Sequence, residues 1–321
     1  MGDPSGIGPE IIIKALGSSE LYDLADFVVI GDSFVLNEVS KCQDFALIDL
    51  KNVAPKAFGF GKIRAEYGRA AIEYLNQGLA LIKSQKIDCL VTAPVNKKAV
   101  NLSGQGFAGH TEYIADFFGV KDFEMMLFNQ KLKVSLVTRH LPLKEVAKGL
   151  NQERIFKTIL NSARGLRSWF GIRNPKIAVC GLNPHASDNG TIGDEEKCLI
   201  APAIAKAAQK RILVRGPFPA DTLFEKALSL KFDASTALSV NPERSRRIDC
   251  IVAMYHDQGL IPLKLTGRSD VVNITLGLPF VRTSPGHGTA LDIAGKNKAD
   301  PHSFIQAVKA AVQCTYNLKK A

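Results

Sequence analysis

Several marks of common protein classes are missing from this sequence. No apolar run reaches the roughly 20 residues that a helix needs to cross a bilayer. The runs at 25–30 and 250–254 are strand-sized, and no membrane partner is expected. The chain opens on a Gly-rich loop, without a basic stretch followed by an apolar one, so no signal peptide is expected. Its six cysteines (Cys42, Cys89, Cys180, Cys198, Cys250, Cys314) are scattered and form no C-x-x-C. That argues against a disulfide frame or a zinc knuckle and for reduced thiols in a cytoplasmic protein. Aromatic residues are only 7% and none interleaves with the basic ones. The net charge of +10 therefore suits small polyanions such as phosphate esters or dinucleotides, and nucleic acid is not expected as a partner. No G-x-G-x-x-G stands between a strand and a helix, Gly6-Ile-Gly8 and Gly59-Phe-Gly61 being fragments, so a standard Rossmann site is not supported. Walker A, G-x-S-x-G, a Ser/His/Asp set, internal repeats and low-complexity segments are absent too.

What remains is a chain of 321 residues, 46% apolar, able to bury a sizeable core in one large or two modest domains. Strands are expected at 27–30, 45–50, 88–92, 124–128, 133–138, 176–180, 212–214 and 248–254. Helices are expected at 10–16, 67–84, 110–118, 144–150, 152–170, 195–211 and 303–318, with a helical piece at 292–294. Pro9 can open the first helix, and Asp32 or Ser33 can cap the next. The alternation makes this an α/β fold. The loop at 1–9 has no strand ahead of it; a βα loop needs one, so a strand upstream of Met1 is expected. Asn96-Lys97, His140, His185 and His256 each follow a strand end closely, where open α/β sheets bind ligands.

The stretch 272–301 concentrates Asn273, Arg282, His287 and Asp292 among glycines and prolines. It reads either as a long surface loop between a strand at 271–275 and a helix from 290, or as part of a site. Imidazole suits divalent transition metals, and three histidines suffice for a catalytic centre with an open position. A single histidine after a strand more often serves as a structural hydrogen-bonder; His140, His185 and His256 arriving alike leave both readings open. His110 and Thr111 start a helix, where Thr111 can cap or the pair can contact an anion. Lys264, Asn273 and Arg282, on a strand–loop–strand unit, suit a phosphate or carboxylate, or else ordinary solvated surface.

In order along the chain, GDPSGIGPE, APVNK, GHTE, TRHLPL, GLNPHA, PADTLF, MYHDQG, VNITLGLPFVRTS and HGTALDIAG resemble the 4-hydroxythreonine-4-phosphate dehydrogenase family of pyridoxal phosphate biosynthesis. The resemblance implies a three-layer α/β/α fold like that of isocitrate and isopropylmalate dehydrogenases, with two subdomains and a cleft between them. Residues 1–100 with 262–321 would form the first subdomain and 101–261 the second. It implies one divalent metal (Zn, Mg or Co) on His140, His185 and His256, and substrate contacts from His110, Thr111, Lys264, Asn273 and Arg282. NAD or NADP would lie on Gly6, Gly8, His287, Gly288 and Asp292. Lys97 and Asp221 are the candidates for proton transfer, Asp221 being equally suited to cap a helix. The active site is expected at a homodimer interface, with histidines from both subunits.

The implied reaction is oxidation of 4-phosphooxy-L-threonine at C3, then decarboxylation to 3-amino-2-oxopropyl phosphate. The alternatives are a paralogue acting on another phosphorylated four-carbon hydroxy acid or a cis-dihydrodiol, a phosphate acetyltransferase-like enzyme, and a non-catalytic phosphometabolite-binding protein. Pro285-Gly286 and a longer segment at 229–247, an expected surface excursion, depart from the family pattern.

Overall fold

The computed structural model describes residues 1–41, 45–229, 248–267 and 269–320. The chain begins with α1 (Gly8–Leu16), β1 (Val28–Gly31), α2 (Ser33–Val39), β2 (Ala46–Asp49), α3 (Ala65–Lys83), β3 (Cys89–Val91), α4 (Lys97–Leu102) and α5 (His110–Phe117). Next come β4 (Glu124–Phe128), β5 (Lys133–Leu136), α6 (Leu143–Gly149), α7 (Gln152–Ser168), β6 (Lys176–Cys180), α8 (Ala201–Gln209), β7 (Leu213–Phe218), α9 (Ala220–Ser229), β8 (Cys250–Ala253) and α10 (His256–Thr266). It closes with β9 (Val272–Leu276), β10 (Val281–Pro285) and α11 (His302–Lys320). Among the described residues no helix is long and apolar enough to cross a membrane.

Two compact units result. The first comprises Met1–Lys121, Val272–Ile274 and Leu278–Lys320. Its strands run in the order β3-β10-β9, with β10 parallel to β3 and antiparallel to β9, while β1 pairs in parallel with β2. Successive residues of a strand face opposite ways, and β1 shows what each face meets. Val29 packs with Ile11, Ile12, Phe304 and Val308 of α1 and α11, whereas Ile30 packs with Tyr67, Ala70 and Tyr74 of α3. Helices therefore cover both faces. In α3, Tyr67, Ala71, Tyr74, Leu75 and Leu79 form the buried stripe that the sequence periodicity predicts. Gly68 lets α3 meet the backbone of α4 directly, since a Cβ there would lie 2.1 Å from the Ala99 carbonyl oxygen.

The second unit comprises Asp122–Val271 and Thr275–Gly277. Its strands run β4-β5-β8-β6-β7, with β4 antiparallel to β5 and the rest parallel. β8 is buried along its whole length, as a near-continuous apolar strand should be. Val134, Leu136, Ala178, Cys180, Ile251 and Ala253 share one face with Leu223 and Phe224 of α9 and Leu260 and Leu263 of α10. On the opposite face Ser162 of α7 donates to Ser135 of β5 at 2.7 Å. The described cysteines are free, with Cys180 and Cys250 inside β6 and β8; Cys42 lies outside the described residues.

Several expectations need correction. Residues 290–294 are turns, not helix, because Ala290, Gly295 and Asn297 take positive φ and Pro301 follows; α11 starts only at His302. The stretch 272–301 is not one long surface loop: Val281–Pro285 within it form β10, buried throughout. Lys264 sits in the last turn of α10, which begins at His256 with Asp257 in its first turn, and not on a strand–loop unit. Asp32 occupies the cap position of α2, but its carboxylate accepts from the Tyr74 hydroxyl and, at 3.3 Å, from Val53 N. At α5 the cap is Gly109, and Thr111 lies buried in the first turn. The excursion expected at 229–247 falls outside the described residues apart from Ser229, the last residue of α9.

Glu124 of β4 is buried beside α7 and accepts from the Thr158 hydroxyl at 2.9 Å. Burial raises its pKa to about 7, against the opposing pull of that hydrogen bond and of Arg139 and Arg154. A carboxyl with a raised folded pKa stabilises most below its unfolded pKa and loses that contribution as pH rises through the folded value. Glu124→Gln should match the parent near pH 4.5 and become more stable than it by pH 8, by up to about 3 kcal/mol. Urea unfolding at the two pH values measures the difference.

Candidate active site

The three singled-out histidines follow the carboxyl ends of β5, β8 and β6, which are neighbours in one parallel array. Their loops are laced together. Thr138, two residues before His140, donates its hydroxyl to the Met254 carbonyl at 2.7 Å and its backbone N–H to the same oxygen at 3.1 Å. Gln258, two residues after His256, accepts from Met254 N and donates to Gly181 O, both at 2.7 Å, which joins the His256 loop to the one carrying His185. The His140 and His256 rings stand 5.8 Å apart, centroid to centroid. His256 Nδ1 lies 2.7 Å from Asp257 Oδ1, an arrangement that orients the ring and leaves Nε2 as the ligating nitrogen.

His185 is delivered differently. Residues from His185 to Asn189 all take positive φ, between 43° and 74°. Such a run is costly for L-residues and needs outside support. Glu196, buried on the π-turn before α8, supplies it: Oε1 accepts from Leu182 N at 2.7 Å and Asn183 N at 2.8 Å, and Oε2 from Asn183 Nδ2 at 2.9 Å. Among the described residues no three His, Cys, Asp or Glu side chains of one chain are gathered as a metal-holding group. The fit to a metal is thus two neighbouring imidazoles, with a third on the adjoining loop.

The first unit holds a cationic nook. Arg282 of β10 is buried, donates to the Thr92 hydroxyl at 2.6 Å, and has its pKa lowered by burial to about 10, leaving it charged at neutral pH. Ser284, two residues on and so on the same face, is cross-strand partner to Asn273, which shares that face. Asn273 Oδ1 is buried with no hydrogen-bond partner among the described residues. His110 opens α5; burial, then the nearby charges of Arg282, the Met1 ammonium and Lys97, push its pKa well below the ordinary value. It is neutral at pH 7, so it offers this nook a hydrogen bond, not a charge. Lys97, first in α4, and Glu112 meet around Gly109: a Cβ there would lie 3.6 Å from Lys97 Nζ and 2.9 Å from Glu112 Oε2.

The loops expected to hold a dinucleotide also meet in this unit. Ile7 N donates to Thr289 O at 3.0 Å, and a Cβ on Gly6 would lie 3.0 Å from the Thr289 Cβ, so any side chain there would push the two loops apart by a few tenths of an ångström. Gly8 is as tightly placed, its Cβ position lying 2.4 Å from Met1 O. Glu10 Oε1 accepts from Ala299 N at 2.7 Å, which pins the far end of the second loop to α1. Gly288 faces open space, and His287 and Asp292 are exposed, so these positions fit a docked cofactor. Lys264 and Asp221 are exposed residues of the second unit, Asp221 in the first turn of α9.

Residues 23–311 match the description of the pyridoxal phosphate biosynthetic protein PdxA family. The chain belongs to that family. A 4-hydroxythreonine-4-phosphate dehydrogenase of Sulfurihydrogenibium sp. is 41% identical over 327 residues, covering 97% of this chain and 96% of that one. A D-threonate 4-phosphate dehydrogenase of Salmonella typhimurium is 39% identical over 334 residues, covering 98% and 97%. The crystal structure of a Klebsiella pneumoniae 4-hydroxythreonine-4-phosphate dehydrogenase superposes with a TM-score of 0.83 at 38% identity, covering 98% of this chain and 96% of that one. A Burkholderia xenovorans terephthalate 1,2-cis-dihydrodiol dehydrogenase gives a TM-score of 0.64 at 28% identity, with coverage of 98% and 96%. These PdxA relatives and neighbours are named as dehydrogenases.

Asp3, Glu112 and Glu196 were not singled out as site residues by sequence. Asp3 lies in the quoted N-terminal motif; it is buried, accepts from Ser5 N at 2.9 Å, and burial raises its pKa to about 6. Glu196 follows Glu195 in a run that looks like solvated helix, and nothing local distinguishes the buried carboxylate from the half-buried one. Glu196→Ala leaves Leu182 N and Asn183 N unmet, while Asn183 Nδ2 keeps Glu195 Oε2 at 2.7 Å, and should lower unfolding stability by about 2–4 kcal/mol. It should also weaken divalent-cation binding, as read by titration calorimetry, because the left-handed loop carrying His185 loses its support.

Proposed function

We propose that this PdxA-family protein is a dehydrogenase of a phosphorylated four-carbon hydroxy acid, with 4-phosphooxy-L-threonine as its substrate. The observation that carries the reading is the delivery of His140, His256 and His185 by three consecutive parallel strands, β5, β8 and β6. The names of its relatives supply the substrate class. Zn, Mg or Co on these imidazoles would supply Lewis acidity toward the C3 hydroxyl, and NAD or NADP the hydride acceptor.

The chain's own residues do the rest. Buried Arg282 presents a fixed positive charge to a substrate carboxylate or phosphate, with Asn273 of β9 and Thr111 of α5 as hydrogen-bonding partners. Neutral His110 donates to a substrate oxygen without adding charge. Lys264 offers a mobile cation for the phosphate. Lys97 and Asp221 are the groups for proton transfer: one of them would take the hydroxyl proton as C3 is oxidised. The resulting β-keto acid loses CO2, and protonation of the carbon left behind gives 3-amino-2-oxopropyl phosphate. Gly6, Gly8, His287, Gly288 and Asp292 hold the dinucleotide, with backbone N–H groups at the start of α1 suited to its phosphates.

D-Threonate 4-phosphate is the second reading, favoured by relatives of that name at nearly the same identity. It differs in bearing a hydroxyl at C2, where 4-phosphooxy-L-threonine bears an amine. We further propose a homodimer that completes each metal site from both chains, since no single chain gathers three ligands among its described residues. A cytoplasmic location agrees with the free thiols.

Nicotinamide absorbance should rise with 4-phosphooxy-L-threonine, stop on chelation and return with added divalent metal. His185→Ala should abolish this metal-dependent turnover while circular dichroism stays unchanged; near-normal activity would remove the metal assignment. Faster turnover of D-threonate 4-phosphate would select the second substrate. Mixing His185→Ala with His256→Ala protein should restore activity if sites are shared between subunits, and should not if each chain holds its own.

A further inference from the structure

The fragment Gly59-Phe60-Gly61 is too short for a dinucleotide fingerprint, and it lies in the segment that joins β2 to α3. In the fold it meets both loops on which the dinucleotide is proposed to lie. Ser5, fully buried, ties it to the first loop. The Ser5 hydroxyl donates to Gly59 O at 3.0 Å and accepts from Lys62 N at 2.8 Å, and the Ser5 carbonyl accepts from Gly61 N at 2.8 Å. The second loop is as close. Gly61 takes φ +74°, and a Cβ there would lie 2.8 Å from Leu291 O. From the other side Gly295 takes φ +71°, and a Cβ there would lie 2.4 Å from Cδ2 of the Phe60 ring.

The turn is braced from behind as well. Phe58 meets Phe60 edge-on with ring centroids 4.9 Å apart, and Tyr67 of α3 at 5.8 Å. The Tyr67 hydroxyl accepts from Gly59 N at 3.1 Å and donates to Ala57 O at 3.3 Å. A turn held at so many points keeps its shape before any ligand arrives, which is what a preorganised binding wall requires. The cations around it are unequally engaged. Lys14 donates to Glu10, Asn297 O and Ala299 O, and Arg64 to Glu66 and Ala57 O. Lys62 is exposed, and its ammonium has no hydrogen bond or ion pair among the described residues. Its side chain folds back across the turn, with Nζ 2.9 Å from where a Cβ on Gly59 would stand. A long flexible cation rooted in a rigid turn can swing to an anion docked on the adjoining loops.

We propose that the turn at 58–62 is a third wall of the dinucleotide site and that Lys62 binds a phosphate group of the cofactor, in its diphosphate or at the adenosine 2′ position. This role rests on the dinucleotide reading of the two loops. It adds a cation to Gly6, Gly8, His287, Gly288 and Asp292, a set without lysine or arginine. Ser5 becomes the joint that keeps the new wall against the first loop.

The test titrates NADH and NADPH into the full chain and its Lys62→Ala, Lys62→Glu and Lys62→Arg variants, followed by nicotinamide fluorescence at low and high salt. At low salt Lys62→Ala should raise Kd about tenfold, Lys62→Glu should raise it further, and Lys62→Arg should stay close to the parent. The gap between the parent and Lys62→Ala should narrow as salt rises, because salt screens the exposed charge that was removed. An equal loss for both cofactors assigns the contact to the diphosphate, and a loss confined to NADPH assigns it to the 2′-phosphate. If the parent binds either cofactor and Lys62→Ala and Lys62→Glu bind it equally well, the proposal is overturned. A loss that Lys62→Arg shares and salt leaves unchanged also overturns it, since the lysine would then only hold the shape of the turn. A parent that binds neither cofactor overturns the dinucleotide reading itself, and this role with it.

Discussion

The arrangement at the proposed metal site depends on one constraint, the parallel pairing of β5, β8 and β6. Parallel strands end on the same side of a sheet, so three loops leave it together and each brings one imidazole. Neither metal nor substrate is needed to explain this order; backbone hydrogen bonds set it. The side-chain bonds of Thr138 and Gln258 then tie loop to loop, so the histidines inherit the precision of the sheet. Burial of Ile251 and Ala253 against α9 and α10 anchors β8 in the middle of this array.

The two units carry different groups. The second carries His140, His185 and His256, and the first carries Arg282, Lys97 and the neutral His110. Keeping His110 uncharged beside Arg282 and Lys97 is a matter of simple electrostatics, since burial and like charge act in the same direction. Arg282 could not be exchanged for lysine on equal terms. A buried ammonium gives up its proton far more readily than a guanidinium, and would lose the fixed charge that the nook presents.

Much of this was legible in the sequence, and for identifiable reasons. His140, His185 and His256 stood out because each follows an apolar run, and a strand end is a local signal. Gly6 and Gly8 stood out only because GDPSGIGPE resembles a family motif; by themselves they are fragments of a glycine pattern. The order in which the strands pair left no local trace, so the adjacency of the histidine loops could not be read. Lys264 was misplaced because His256-Asp257-Gln258-Gly259 has the composition of a loop, yet Tyr255 takes an extended cap conformation and a helix starts at once. Arg282 looked like a loop residue because a charged side chain flanked by Gly and Pro rarely lies in a buried strand. Glu196 was invisible: its carboxylate acts on a loop more than a dozen residues earlier in the chain.

The contact at Gly68 bears on Lys97 in another way. α3 and α4 touch there through backbone, with no side chain between them to bend or change rotamer. A side-chain contact can absorb a displacement by rotating; two backbones in van der Waals contact can yield only a few tenths of an ångström before repulsion rises steeply. The start of α4 therefore behaves like a part bolted to a long strut. The origin of the flexible Lys97 side chain is fixed by a nineteen-residue helix, and only its outer carbons are left free to search for a proton donor or acceptor.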